Sequence, residues 1–309
     1  MLRKIAIVGA NGFVGRHTVE MARCQGISVV GVVRSEAAFG RVRALGADAV
    51  QVKDLSAEST QALLPHLGGC DGLVYTASVS KGPGAPDRTD PSGLINVLGA
   101  CREAGVSRVV YFSGLGIAHY GMNHHCTNPY FLAKMAGEVE LFRSGLSVTI
   151  LRPSYIFGPG DEFLTPLIHR MRTSAVIEVP GDGEYRLQPI SVRDAARVVL
   201  GAFLGSAQGQ AVLDLVGPEI LSYRQLIARV ATRLGCQVST RERPKSEAMS
   251  QAGERGGYFG LRPHDLDCLF CDEVSVPGPV ECLTSGPLET LDEMIDWTLA
   301  TEPLVAPES

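Results

Sequence analysis

Clustered positive charge is missing from this sequence of 309 residues. Lys and Arg number 28 against 33 Asp and Glu, a formal net charge of −5, and no basic run stands out. Nucleic-acid phosphates are held by clustered cations, so no nucleic-acid partner is expected. Long apolar runs are missing too, none approaching the ~18 to 20 residues of a spanning helix. The start, MLRKIAIVGANGFVG, runs straight into a glycine loop where a secretory leader would carry a small-residue cleavage site, which gives a cytoplasmic expectation. Repeats and low-complexity tracts are absent. With 45% hydrophobic and 20% charged residues, the chain can bury one large core or two moderate ones.

Cysteine is not scarce. Eight are scattered as Cys24, Cys70, Cys101, Cys126, Cys236, Cys268, Cys271 and Cys282, and in a cytosolic chain they read mostly as small buried residues. HDLDCLFC invites a zinc reading through His264, Cys268, Cys271 and Cys282. A second CxxC is lacking, and Leu266, Leu269 and Phe270 alternate with the cysteines as in a short helix burying one face, so no metal is expected.

What is present is alternation. Strands are read at KIAIVG, ISVVGVV, AVQVKD, GLVYTA, RVVYFSG and SVTILRP, and helices from Gly15 into Cys24, around Ala37 to Leu45, near Ser59 to Leu67, from Ser92 to Ala104 and from Tyr130 to Phe142. Nearly all-apolar strands separated by helices predict an α/β fold, a Rossmann-type doubly wound parallel sheet. The dinucleotide-binding domain is expected over residues 1–160 and a smaller substrate region over 161–309, with 187–216 returning to the first domain through LQPISVRDAARVVLGAF and AVLDLVG. In LSYRQLIARVATRLG, Ser222 reads as a helix cap and Gly235 as its stop. LETLDEMIDWTLATE closes the chain as a helix.

GANGFVG places Gly9, Gly12 and Gly15 between a strand and a helix. Such a loop turns sharply, approaches a pyrophosphate and aims helix-start N–H groups at the anion, so Asn11, Phe13 and Val14 join the three glycines as coenzyme-binding candidates. An NAD-binding fold carries an acidic residue ~20 residues further on. Here GVVRS supplies Arg34, a partner for a 2′-phosphate, so NADP is expected with NAD as the alternative. Asp54 and Leu55 are placed to border the adenine, Thr76 and Ala77 to flank the nicotinamide ribose, and Pro153 joins the coenzyme set.

YFLAK sets Tyr130 and Lys134 one helical turn apart on a shared face. A fixed ammonium lowers the pKa of a nearby phenol, so Lys134 is expected to acidify Tyr130. Ser113, closing a strand, would hydrogen-bond the reacting oxygen while Tyr130 moves its proton. Asn96 is a supporting polar candidate, and Arg170, Arg172 and Arg186 are candidates to receive an anionic group.

Taken in order, GANGFVG, KDL, LVYTAS, NVLGACREAGVSRVVYFSG, YFLAKMAGEVE, LRPSYIFGPGD and LQPISVRDAA resemble the short-chain dehydrogenase/reductase superfamily, in its extended and atypical branches, over nearly the whole chain. The resemblance implies a catalytic Ser113, Tyr130 and Lys134, with Lys134 also on the nicotinamide ribose, and a possible homodimer through the helices after the fourth and fifth strands. Epimerases and dehydratases of the extended branch carry an Arg just before the second-domain strand; YRLQPISV displaces Arg186 by one position and puts Gln188 and Pro189 there. LQPISVRDAA with VVRS is more similar to the subgroup that includes the NADPH-holding accessory subunit of respiratory complex I. Two function classes stay open at this level. One is an NAD(P)-dependent oxidoreductase or epimerase/dehydratase-type enzyme acting on a carbonyl or secondary alcohol of a small-molecule substrate; the other is a non-catalytic NADPH-binding structural or sensing protein.

Overall fold

The first strands are short, β-branched and apolar, and they pair without turns between them because helices carry each crossover. The computed structural model describes residues 2–77, 91–119, 128–205, 209–254, 257–258 and 261–301. Its first half alternates β1 (Lys4–Val8), α1 (Phe13–Cys24), β2 (Ser28–Val33), α2 (Glu36–Ala44), β3 (Asp48–Gln51), α3 (Thr60–Leu67), β4 (Gly72–Tyr75), α4 (Ser92–Ala104), β5 (Arg108–Phe112), α5 (Pro129–Arg143) and β6 (Ser147–Pro153). A seventh strand, Gln210–Leu215, pairs with β6, and the sheet runs in the order Gln210–Leu215, β6, β5, β4, β1, β2, β3 with every pairing parallel. The doubly wound Rossmann-type sheet predicted from the alternation is what forms.

Successive side chains of β1 enter opposite cores. Ile5 and Ile7 pack with Val19, Ala22 and Phe203 on one face, and Ala6 and Val8 pack with Leu63, Leu98 and Leu141 on the other. Both faces are therefore covered, and continuous apolar strands are the result. The helix α7 (Val192–Leu204), introduced after α6 (Leu164–Thr173), carries Phe203 into the first of these cores.

A separate core gathers Leu164, Ile168, Leu187, Ile227, Leu266 and Ile295. It joins α6, a parallel pair of strands Val176–Pro180 and Ser239–Arg243, α8 (Tyr223–Leu234) and the closing helix Leu291–Thr301. Ser222 caps α8 in a capping box with Gln225, and Gly235 ends it at φ 66°, as the sequence predicts. Strand order reverses between β1 and β4, so a crevice opens at their carboxyl ends. No helix among the described residues is long and apolar enough to cross a membrane.

Candidate active site

The crevice continues into a cleft of about 1880 Å³ that extends from the glycine loop to the second core. Gly9 turns the chain at φ 86°, and a Cβ there would lie 2.8 Å from the backbone N of Ala77. At Gly15 a Cβ would stand 2.2 Å from the Gly9 carbonyl, so α1 can begin against the loop only with glycine at that position. The result is a backbone cradle at a helix start, the geometry that suits a dinucleotide pyrophosphate. Thr76 ties it down, its hydroxyl donating to the carbonyls of Val8 and Gly9 at 3.0 and 3.2 Å. Asn11 is held by Arg41, whose Nε donates to Oδ1 at 2.8 Å.

Every coenzyme candidate lines this cleft: Gly9, Asn11, Gly12, Phe13, Val14, Gly15, Arg34, Asp54, Leu55, Thr76, Ala77, Lys134 and Pro153. Arg34 is exposed just past β2, and Lys53 joins it on the cleft wall. The Asp54 carboxylate accepts from the N–H and hydroxyl of Ser56 at 3.0 and 2.6 Å, which fixes the turn beneath Leu55. Asn96 does not line the cleft. Its amide donates to the carbonyls of Leu55 and Glu58 at 3.0 and 2.8 Å, so its supporting role is to clamp that turn.

Tyr130 and Lys134 both face the cleft from α5. The Lys134 Nζ donates to the Phe112 carbonyl at 2.8 Å and lies 5.7 Å from the Tyr130 ring centre. Contrary to the expected acidification, the Tyr130 phenol is held well above its ordinary value of 10: burial dominates, and Cys268 and Glu273 add to it. The reason is that desolvation penalises a phenolate more than one cation at this distance favours it. Ser113 also departs from expectation, for it does not line the cleft. It is buried, and its hydroxyl donates to Glu138 Oε1 at 2.6 Å, while Glu138 accepts two further bonds from Arg152 at 2.9 and 2.6 Å. The next residue, Gly114, takes the cleft-facing place, where a Cβ would lie 3.5 Å from the Tyr130 hydroxyl.

Residues 9–202 match the family described as NAD(P)H-binding. The chain belongs to that family. It is 25% identical over 255 residues to 2-alkyl-3-oxoalkanoate reductase of Stenotrophomonas maltophilia (strain K279a), across 75% of this chain and 76% of that one. It is 28% identical over 221 residues to 4-hydroxy-2-methyl-3-oxo-4-farnesyl-3,4-dihydroquinoline-1-oxide ketoreductase of Stigmatella aurantiaca, across 66% of this chain and 64% of that one. Among solved structures, UDP-glucuronic acid 4-epimerase from Bacillus cereus, in complex with UDP-glucuronic acid and NAD, shares the fold. It matches with a TM-score of 0.71 at 17% identity, over 96% of this chain and 99% of that one. The family match and the reductase relatives make this member of the NAD(P)H-binding family an NAD(P)-dependent enzyme of the extended short-chain dehydrogenase/reductase type. The non-catalytic alternative is not favoured.

Several residues that shape the site of this NAD(P)H-binding protein carry no sequence signal of their own. Asn128 caps α5, its Oδ1 accepting from the Tyr130 N–H at 3.0 Å, and its amide donates to the His264 carbonyl and Asp267 at 3.1 and 3.0 Å. It thereby fastens the tyrosine's helix to the helix Pro263–Leu269. Tyr155, Phe163 and Glu273 complete the far wall; Tyr155 falls within LRPSYIFGPGD, but the sequence assigns none of the three a role in the site. Asp161 accepts from the N–H groups of Phe163 and Leu164 at 2.6 Å each and so starts α6.

The basic candidates for an anion fall elsewhere. Arg170, Arg172 and Arg186 do not line the cleft, and Arg186 pairs with Asp272 at 2.7 Å. Helix Pro263–Leu269 buries Leu266 and Leu269, and the Cys268 thiol donates to the His264 carbonyl at 3.0 Å. Among the described residues no group of three or more His, Cys, Asp or Glu is placed to hold a metal ion. Cys126 lies outside the described residues.

Proposed function

We propose that this protein is an NADP-dependent reductase that converts a ketone or aldehyde of a small molecule to the alcohol. One observation carries the reading: the Tyr130 phenol, protonated at neutral pH and raised further by burial, lines the cleft that runs from the glycine loop to the second core. A protonated phenol is a donor, so the site is set for giving a proton to a developing alkoxide.

The bound coenzyme supplies the hydride. Backbone N–H groups about Gly9, Gly12 and Gly15 would face the pyrophosphate, and Arg34 would pair with the 2′-phosphate that distinguishes NADP. Asp54 and Leu55 would border the adenine, Thr76 and Ala77 the nicotinamide ribose, and Pro153 the far end of the coenzyme. Lys134, anchored by donation to the Phe112 carbonyl, would contact the ribose hydroxyls. Tyr130 gives its proton to the reacting oxygen. Ser113 acts only through Glu138 and touches neither coenzyme nor substrate.

Oxidation of NADPH by the purified protein against a panel of ketones and aldehydes tests the assignment. Tyr130→Phe should lower kcat by about 10²- to 10⁴-fold on any substrate that turns over, with coenzyme affinity retained. Unchanged turnover in that variant would remove Tyr130 from the chemistry.

A further inference from the structure

Beyond Tyr130 the cleft is walled by the second core, and its charge is one-sided. From Pro153 onward the described lining residues include five acids, Asp161, Glu162, Glu254, Asp265 and Glu273, and one base, Arg262. Arg262 itself lies 3.8 Å from Asp265.

Glu273 differs from the other four acids. Its side chain is buried, the residue being 7% exposed, and its carboxyl has no hydrogen-bond partner among the described residues, although the residue lines the cleft. The backbone is fixed on both sides: its N–H donates to the Arg186 carbonyl at 2.9 Å, and its carbonyl accepts from the Ser154 hydroxyl at 2.8 Å. Next to Ser154, the Tyr155 hydroxyl is likewise buried and without a partner among the described residues. The Tyr155 hydroxyl is a buried group without a partner among the described residues, and the Glu273 carboxyl lies on the same wall with only its backbone bonded, so a ligand that bonded both would lower the cost of each.

We propose that Glu273 and Tyr155 form the polar half of the substrate site, which takes an uncharged ketone or alcohol and rejects compounds carrying carboxylate or phosphate. The proposal rests on the reductase reading for the site but not on turnover. A neutral carboxyl donates to, and accepts from, a carbonyl or hydroxyl group, whereas a nucleotide diphosphate would have to enter a lobe whose described lining residues carry five acids and a single arginine. Apolar substrate body is accommodated by Tyr155 and Phe163, whose rings lie 4.9 Å apart.

The carboxyl is also held protonated in the neutral range, because burial lifts it from 4.5 to about 8. The groups close enough to feel its charge are Tyr130 from α5, Tyr155, Cys268 from helix Pro263–Leu269, and Cys271 on its own segment, while Asp265 acts on Tyr130 and Cys268. Burial raises both tyrosines and Cys268 far above neutrality and Cys271 to about 11. The nearby Arg186 is paired with Asp272. Glu273 is thus the member of the group that gains charge between pH 7 and 9, and rejection of anions should strengthen across that interval.

Calorimetric titration of the NADP⁺-loaded protein with methyl 4-acetylbenzoate, 4-acetylbenzoate and UDP-glucose tests this. At pH 9 the ester should bind at least tenfold more tightly than the carboxylate and than UDP-glucose, with a smaller margin at pH 7, and Glu273→Gln should bring the ester-to-carboxylate ratio at pH 9 within about threefold. A carboxylate or UDP-glucose that binds as tightly as the ester, an ester that does not bind, or a ratio that Glu273→Gln leaves unchanged would overturn the proposal. Should Glu273→Gln fail to fold, Tyr155→Phe serves: the ester should weaken three- to tenfold with coenzyme affinity unchanged, and an unaltered ester affinity counts against the site. Tyr130→Phe keeps the two readings apart, since loss of turnover with the binding ratios intact bears on the reductase chemistry alone.

Discussion

Ser113 and Tyr130 both belong to the expected catalytic set, and their surroundings give them different work. Ser113→Ala removes one hydrogen bond to Glu138, which keeps its two bonds from Arg152. The expected outcome is a loss of about 1 to 2 kcal/mol in urea unfolding and a fall in kcat of less than tenfold, far short of the loss expected for Tyr130→Phe. A fall matching that of Tyr130→Phe would return Ser113 to the chemistry. Glu273 has a signature in stability. Its carboxyl titrates near 4.5 when unfolded and near 8 when folded, so the folded state holds the extra proton between those values and stability declines as pH rises through that window. Scanning calorimetry should show the melting temperature of the wild type falling, relative to Glu273→Gln, from pH 5 to pH 8 and running parallel above it. A constant difference across the range would contradict the buried neutral carboxyl.

At the scale of elements, the glycine loop and α1 form one unit. Gly15→Ala places a methyl group 2.2 Å from the Gly9 carbonyl, and backbone cannot yield as a flexible side chain would, so helix and loop must separate. NADPH affinity should fall at least tenfold by fluorescence titration, with a stability loss of about 1 to 3 kcal/mol; unchanged affinity would mean the cradle does not hold the coenzyme. The sequence reading began this helix at Gly15, whereas it begins at Phe13 with Gly12 as its cap. The third glycine does not mark the helix start; it is needed for close packing inside the first turn. Helix α4 runs from Ser92 to Ala104 as read, because Gly105 ends it in the left-handed region. Asn128 was invisible in the same reading, for its two bonds to residues 264 and 267 cross more than a hundred positions of chain.

For the whole molecule, the cleft is bordered by the sheet on one side and the second core on the other, so coenzyme binding should stabilise both together. At a coenzyme concentration a hundredfold above Kd the gain is about 2.7 kcal/mol, which for a chain of this length is a rise in melting temperature of roughly 4 °C. NADP⁺ should give the larger rise and NAD⁺ the smaller, and Arg34→Asp should reverse or abolish that order in differential scanning. Equal shifts from the two coenzymes in the wild type would take the 2′-phosphate away from Arg34.

The sequence by itself determined the doubly wound sheet, the glycine turn that opens α1 and the helix bearing Tyr130 and Lys134. Each of these is written in local terms: apolar runs between helices, glycines at fixed offsets, and two side chains one turn apart. Tertiary structure alone decided which hydroxyl faces the cleft and whether the phenol keeps its proton. Ser113 turns to Glu138, which itself holds Arg152 of the next strand, and the Tyr130 phenol is raised further above neutrality by burial and by residues from the other end of the chain, Cys268 and Glu273. Desolvation depends on everything packed around a group, and neighbours drawn from distant segments leave no trace in the spacing of the residues they surround.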